Sequence, residues 1–366
     1  MKIKTGVTLE NVQLFFKLKS FLYRQYNTYP GYSAAEINSF FEGLLFYAKE
    51  NYCELLYSVD ENNKWLSALI IFNSAASDTG YIGYFESVEN AQAAAEILDV
   101  ARELLKNKGC SELLVFFSPR MGDPKGFNSD LARVPAFGMP FCREYYPTLL
   151  KASGYEICKN LIQFDLVIND AVVKRLETAS KFSIAKAKTP IAFRPIDLSK
   201  PEAEVALITE IYNSAWTDNW GAIRHRADEL ENEFAPMMKF MKSEYCYFAV
   251  VEEEAIGFIV IMPDFNVHKY HMAELKRGKV SHLLPLWRAI KAPKEYRGLF
   301  IGVKAEYRNR GVEACLINAV LPVIQNNILK IGWVLEDNFR WANQIRYIGA
   351  ATQLRETSFQ VYSQEV

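Results

Sequence analysis

The chain has 366 residues, 50% of them hydrophobic and 23% charged, a balance that excludes a disordered protein. Its 42 Lys and Arg against 43 Asp and Glu leave a formal net charge of −1, which argues against a dedicated nucleic-acid binder. The longest apolar run, Ala255–Pro263, has strand length, and the N-terminus lacks an unbroken apolar core, so neither a transmembrane segment nor a signal peptide is expected.

In the N-terminal half, Leu55–Val59 and Leu66–Phe72 read as strands around a turn at Asp60–Lys64. Tyr81–Phe85 is a strand. Val88–Lys108 has helical spacing at Ala91, Ala94, Ala95, Leu98, Ala101 and Leu105, and Gly109 is its natural stop. Leu113–Phe117 is a strand, Tyr146–Ala152 a helix ending before Gly154, and Leu161–Leu166 a strand. The basic stretch Ser183–Ile191 is the best domain boundary, with a further helix starting at Glu202.

The C-terminal half repeats this order. Cys246–Val251 and Ile256–Met262 form a hairpin about Glu252–Glu254, and Leu299–Val303 is a strand. Gly311–Asn327 is a helix that Pro322 should kink or end about one turn early. Ile331–Leu335 is a strand, Phe339–Ile348 a helix stopped by Gly349, and Phe359–Tyr362 a closing strand. Tyr81 to Leu299 and Leu113 to Ile331 are both offsets of 218, which points to an internal duplication. Six cysteines stand singly, at Cys53, Cys110, Cys142, Cys158, Cys246 and Cys315, with no CxxC pair; this usage suits a reducing cytoplasm and no structural zinc.

The chemistry concentrates in Gly298–Val320, where an apolar strand ends at Val303, a polar turn holds Arg308, Asn309, Arg310 and Gly311, and a helix follows at once. The first amides of a helix have no internal partner and sit at its positive end, so a strand–turn–helix with Gly at the junction suits a pyrophosphate. Arg308–Glu313 resembles the acyl-CoA signature of the GNAT N-acetyltransferase superfamily, Arg/Gln-x-x-Gly-x-Gly/Ala, with Glu313 in place of the final small residue. Trp333–Ala350 resembles the second signature, a strand, then Asn338, then a short helix, with Ile345 where many members place a tyrosine. Val250–Asn266 resembles the family's central hairpin.

The resemblance implies an α/β (α+β) protein of two tandem GNAT-like domains, each a mixed, mainly antiparallel sheet flanked by helices, with a V-shaped opening between central strands. Residues 1–182 would be a degenerate copy, because Phe85–Asn90 offers neither Gly nor Arg and carries Glu86 and Glu89; residues 191–366 would bind acyl-CoA. The implied activity is an N-acyltransferase of GNAT type using acetyl-CoA or a longer acyl-CoA as co-substrate, with no metal and a small-molecule or lipid-like amine as acceptor. Val303, Arg308, Asn309, Arg310, Gly311, Val312 and Asn338 would line the donor site. The Val303 backbone N–H would polarise the thioester carbonyl, Glu336 would take the amine proton, and Asn338 would wall the cleft while capping the next helix. Rival readings are a transferase using another activated donor, such as an aminoacyl-tRNA, and a non-catalytic binding or scaffold protein, the latter favoured by Glu313 and Ile345. No nucleic-acid partner is expected, and homo-oligomerisation is left open.

Between hairpin and central strand lies an insertion, Asp264–Arg297, with eight Lys/Arg and three Asp/Glu. One reading is a solvated loop with one packed helix; His268 and His271, with Glu274 nearby, are then exposed loop histidines and not a metal site. The other is a lid over the acyl site or a surface for an anionic or lipid-like substrate. As a lid, Leu283, Leu284, Leu286, Trp287 and Ile290 would face inward, with Lys291 and Lys294 in water.

Overall fold

The computed structural model describes residues 1–74, 77–128, 130–186, 190–216 and 219–366. The expected boundary at Ser183–Ile191 lies partly outside them. In chain order the elements are β1 (Lys2–Thr5), α1 (Leu9–Leu22), α2 (Ala34–Tyr47), β2 (Tyr52–Val59), β3 (Trp65–Asn73), β4 (Thr79–Ser87), α3 (Ala91–Lys106), β5 (Glu112–Val115), α4 (Tyr146–Ala152), β6 (Glu156–Val167) and α5 (Asp170–Lys186). There follow β7 (Ala192–Pro195), α6 (Pro201–Trp216), α7 (Ala227–Met238), β8 (Cys246–Val251), β9 (Glu254–Pro263), α8 (Phe265–Lys276), α9 (Leu283–Lys291), β10 (Glu295–Val303), α10 (Val312–Ala319), α11 (Leu321–Ile324), β11 (Ile328–Leu335), α12 (Phe339–Gly349) and β12 (Leu354–Glu365). Two compact units result: unit 1 is Met1–Leu161, Asn266–Leu286 and Ser358–Val366, and unit 2 is Ile162–Phe265 and Trp287–Thr357.

In unit 1, β1 to β4 pair antiparallel in sequence order, β4 pairs parallel with β5, and the end of β12 pairs antiparallel with β5. The β2–β3 turn is tied by the Asp60 carboxylate, which accepts from the amides of Asn62 (2.8 Å) and Lys64 (2.9 Å). Helix α3 starts at the Asn90 side chain, which accepts from Ala93 N–H, and lays Ala94, Ile97, Leu98, Ala101 and Leu105 into a core with Leu56, Leu69, Ile82 and Leu113. Gly109, at φ 86°, turns the chain out of it.

In unit 2, β7 to β10 pair antiparallel and β10 pairs parallel with β11. Helix α10 places Val312 and Leu316, and the residue after it Val320, in one core with Ala249, Ile259 and Ile261. It ends at Ala319, and Pro322 lies inside the short following helix α11, as the sequence predicts.

Both parallel ladders run for four residues, Thr79–Ile82 with Glu112–Val115 and Glu295–Gly298 with Ile328–Ile331, and in both the partner lies 33 residues further on. The repeat is therefore structural. Paired residues recur at an offset of 216, not the 218 read from the apolar runs, because β10 and β11 each open with two more polar or lead-in residues than β4 and β5.

Candidate active site

The β10–β11 ladder ends at Gly298 and Ile331, while β10 continues to Val303 and β11 to Leu335. The strands part there, beside a bulge in β10 between Gly298 and Phe300. Arg297 is buried at the parting point. Its guanidinium donates to the Gly298 carbonyl (2.7 Å), the Lys330 carbonyl (3.0 Å) and the Gly332 carbonyl, so it holds peptide groups of both strands where ladder bonds stop. Burial pushes the Arg297 pKa down to about 10, and Asp264 and Asp165 pull it back up. Beside it, Lys330 is buried between Asp264 and Glu295, at 2.6 Å from each.

Beyond the parting, the Lys304 amide donates to the Ile256 carbonyl of β9 (2.8 Å). Amides alternate along a strand, so the Val303 N–H is directed away from β9 and into the opening. Gly302 faces α6: a Cβ there would meet the Trp216 ring at 2.4 Å. Val303 accordingly turns its side chain the other way, into the core with Val312 and Leu316.

The turn to α10 places the remaining donor residues. Arg308 is half-buried and donates to the Ala215 carbonyl at the end of α6. Asn309 is exposed at φ 67°, and Arg310 is exposed with its Nη2 on the Glu306 carbonyl (2.8 Å) and its guanidinium over the Tyr307 ring. Gly311, at φ 75°, caps α10, whose first internal bond is Cys315 N–H to the Gly311 carbonyl. The amides of the first turn thus point out of the helix end, a donor set that fits a pyrophosphate.

One flank of this cradle is covered by α5, which sequence reading missed. Asn169 starts α5 by accepting from the Val172 amide and ties it to Thr352 just past α12. Arg175 donates to the Tyr347 carbonyl of α12, and Cys315 of α10 contacts the Ser180 carbonyl. Val172 and Leu176 join the core that holds Leu316 and Ile345. Further along, the contact is made by small residues, and a Cβ on Gly311 would lie 1.9 Å from Ser183 Oγ. Asn309 and Arg310 keep the other flank in water.

Past β11, Glu336 is half-buried and Asn338 is exposed, its side chain accepting from the Trp341 amide (3.3 Å) as the cap of α12. Val303 and Glu336 therefore extend the two strands that diverge, with Gly311 and Val312 opening the helix that follows one of them.

No family model matches the chain. A tandem GNAT protein from the clavulanic acid biosynthesis pathway, solved without acetyl-CoA, aligns over 100% of this chain and 98% of its own, with a TM-score of 0.54 and 12% identity. The chain has the tandem GNAT fold. By sequence it is similar to Protein YghO of Escherichia coli strain K12, 23% identical over 313 residues that span 79% of this chain and 75% of that protein. It is also similar to a bacterial ceramide synthase of Caulobacter vibrioides, 31% identical over 162 residues, 40% of each chain.

Two details of the GNAT frame correct the sequence reading. Glu86 does not present a charge to the junction of unit 1: it is buried, paired with Lys19, and accepts from the hydroxyls of Tyr23 (2.9 Å) and Tyr146 (2.7 Å). The insertion is not a lid with an inward apolar face. It forms two helices, and Leu283, Leu284, Trp287 and Ile290 are exposed. Helix α8 is fixed within unit 1 by Asn266 on the Pro135 carbonyl (3.0 Å) and Lys269 on Glu36 (2.7 Å), contacts between residues more than a hundred positions apart that no local pattern reveals. In the same segment His271 Nδ1 meets His282 Nδ1 at 2.9 Å, and Glu274 is held by Lys279 and Arg277.

Proposed function

We propose that this protein is an acyl-CoA-dependent N-acyltransferase whose acceptor is a lipid-like amine. The observation that carries the reading is the parted β10–β11 pair of a GNAT fold, with an outward-directed amide at Val303 and the first-turn amides of α10 beside it. The similarity to a bacterial ceramide synthase supports the acceptor class, since a ceramide is the fatty amide of a long-chain amino alcohol.

The amine nitrogen bonds to the thioester carbonyl carbon, the C–S bond breaks, and the CoA thiolate leaves. Gly311, Val312 and Arg310 hold the pyrophosphate, with Arg308 and Asn309 shaping the turn. The Val303 N–H donates to the carbonyl oxygen as negative charge grows on it. Glu336 takes the proton that the amine sheds, directly or through water, and Asn338 fixes the start of α12 at the cleft edge. A thiol of pKa about 8.5 leaves without full protonation, so the reaction proceeds without a tyrosine acid at Ile345, which is buried in the core.

The test is kcat/KM for acetyl-CoA against a series of long-chain acyl-CoAs, with long-chain amines as acceptors, in wild type and Glu336→Gln. Long-chain donors should win, and the variant should lose about 10²–10⁴-fold in kcat. Equal rates with short polar amines in place of the long-chain ones would remove the lipid part of the reading, and an unimpaired variant would remove Glu336. A non-catalytic reading is favoured by one observation, the contact of Ser183 on Gly311; CoA binding without turnover on any amine would establish it.

A further inference from the structure

Helix α9 is amphipathic but is turned the opposite way from a helix that serves a protein core. Its Pro285, Leu286 and Ala289 side is half-buried, whereas its most apolar edge faces water: Leu283 is 64% exposed, Leu284 51%, Trp287 58% and Ile290 55%, with Val280 just before them at 79%. At 100° per residue, Leu283, Leu284, Trp287 and Ile290 fall on one stripe. The charge around this stripe is mainly positive: Arg277 and Lys279 pair with Glu274, while Lys276, Arg288, Lys291 and Lys294 have no acidic neighbour within the segment Lys276–Lys294. From Lys276 to Lys294 the chain carries Lys276, Arg277, Lys279, Arg288, Lys291 and Lys294 and no Asp or Glu, although the whole protein is near neutral. All six cations are exposed.

We propose that α9 and the turn before it form a docking surface for an anionic lipid bilayer. The stripe would enter the headgroup–acyl boundary with α9 parallel to the membrane plane, Trp287 at headgroup depth and the lysines and arginines against lipid phosphates. A protein partner fits less well: the apolar edge of one nine-residue helix is small beside the ~800 Å² per partner of a standard interface, whereas an interfacial helix needs only such a stripe and basic flanks. No helix among the described residues is long and apolar enough to cross a membrane, so the contact proposed is peripheral. This inference goes beyond the transferase reading and stands without it, because its test measures binding and not turnover.

The 366-residue chain is floated with vesicles of phosphatidylcholine alone and of phosphatidylcholine with phosphatidylglycerol in equal parts, at low and high salt. Wild type should bind the mixed vesicles, bind neutral ones at least about tenfold more weakly, and release with salt. The double variant Leu284→Asp, Trp287→Asp should lose binding about tenfold or more while keeping its melting temperature and circular dichroism, since both side chains are exposed. Arg288→Glu with Lys291→Glu should lose the preference for anionic vesicles. The proposal is overturned if wild type does not float, if the Asp variant floats as well as wild type, or if neutral and anionic vesicles bind alike. It is also overturned if light scattering finds a dimer that the Asp variant dissolves and vesicles fail to bind, because the stripe then serves a second copy.

Discussion

Units 1 and 2 build the same parallel ladder, four residues long with partners 33 apart, yet they leave it differently. In unit 1 only three residues separate the end of β4 from α3, and the helix is capped by Asn90. In unit 2 eight residues separate β10 from α10, and the cap is a left-handed Gly311. The backbone at the parting of the strands also differs. Unit 1 places two bulky residues, Tyr84 at φ 55° and Phe116 at φ 59°, in the left-handed region, at about 1–3 kcal/mol each. Unit 2 has Phe300 and Gly332 at the positions 216 further on and holds the strands with Arg297. A sheet core asks only for apolar residues in register, so it survives duplication almost unchanged. The turn that leaves it makes few packing demands, and there the two copies have moved apart.

The largest expected effects come from two buried ion pairs, one taken from each unit. Lys19→Met removes the cation beside Glu86 in the core of unit 1, and Lys330→Met removes the one beside Asp264 in unit 2. Each should cost about 3–5 kcal/mol, because the buried carboxylate keeps its desolvation penalty and loses that cation. Thermal or urea unfolding checks both. If the units unfold separately, each variant should lower one transition only, and adding Glu86→Gln to Lys19→Met should recover part of the loss. Burial pushes the Lys330 pKa down, but Asp264 and Glu295 outweigh it, so the folded value lies above the unfolded one. The pair's contribution is therefore present below the unfolded lysine pKa of about 10.4 and is lost as pH rises through the folded value. Wild type should lose more stability than Lys330→Met on the alkaline side. A Lys19→Met protein as stable as wild type would break the comparison at its root.

Much of this could be read from the sequence and some could not, for physical reasons. Strand alternation, the Ala-rich face of α3 and the glycine stops at Gly109 and Gly154 are local signals, and the fold follows from them. The turn Arg308–Gly311 was legible because a glycine at a strand–helix junction has a conformational reason, here φ 75°. Arg297 was not: a charged residue at the polar start of a strand looks solvated until the carbonyls of a strand 33 residues on surround it. Nor was the role of Ser183, an ordinary helix residue whose meaning depends on what packs against it. The apolar stripe of α9 was read correctly as a stripe and wrongly as an inward face, since periodicity fixes which residues share a side but not what covers that side.

The next effect in size tests the parting of unit 2. Arg297→Met removes the donors from three carbonyls in a dry site and should cost about 3 kcal/mol. Arg297→Lys keeps a charge but offers one compact donor group in place of a planar fork, so it should recover less than half of that. Both variants should also raise the KM for the acyl donor more than a core substitution of equal cost elsewhere, such as Leu98→Ala in unit 1. If Arg297→Met and Leu98→Ala change stability alike and leave KM alike, Arg297 serves packing only, and the likeness between the two partings lies in the sheet and not in the donor site.

The smallest effect bears on the feature unit 1 lacks. Gly311→Ala puts a Cβ at φ 75° and 1.9 Å from Ser183 Oγ, so two costs combine, the left-handed backbone at about 1–2 kcal/mol and the overlap with α5. Ser183→Gly in the same chain removes the overlap and leaves the backbone cost, so a double-mutant cycle on melting data should show positive coupling between the two sites. Ser183→Gly alone costs about 0.5–1 kcal/mol as a glycine within a helix. It also opens the covered flank of the cradle, and if α5 limits entry of the pyrophosphate, this variant should lower the KM for the acyl donor while kcat holds. An unchanged KM would mean that the donor reaches the α10 amides from the Asn309–Arg310 side, with α5 acting as a fixed wall of the cradle.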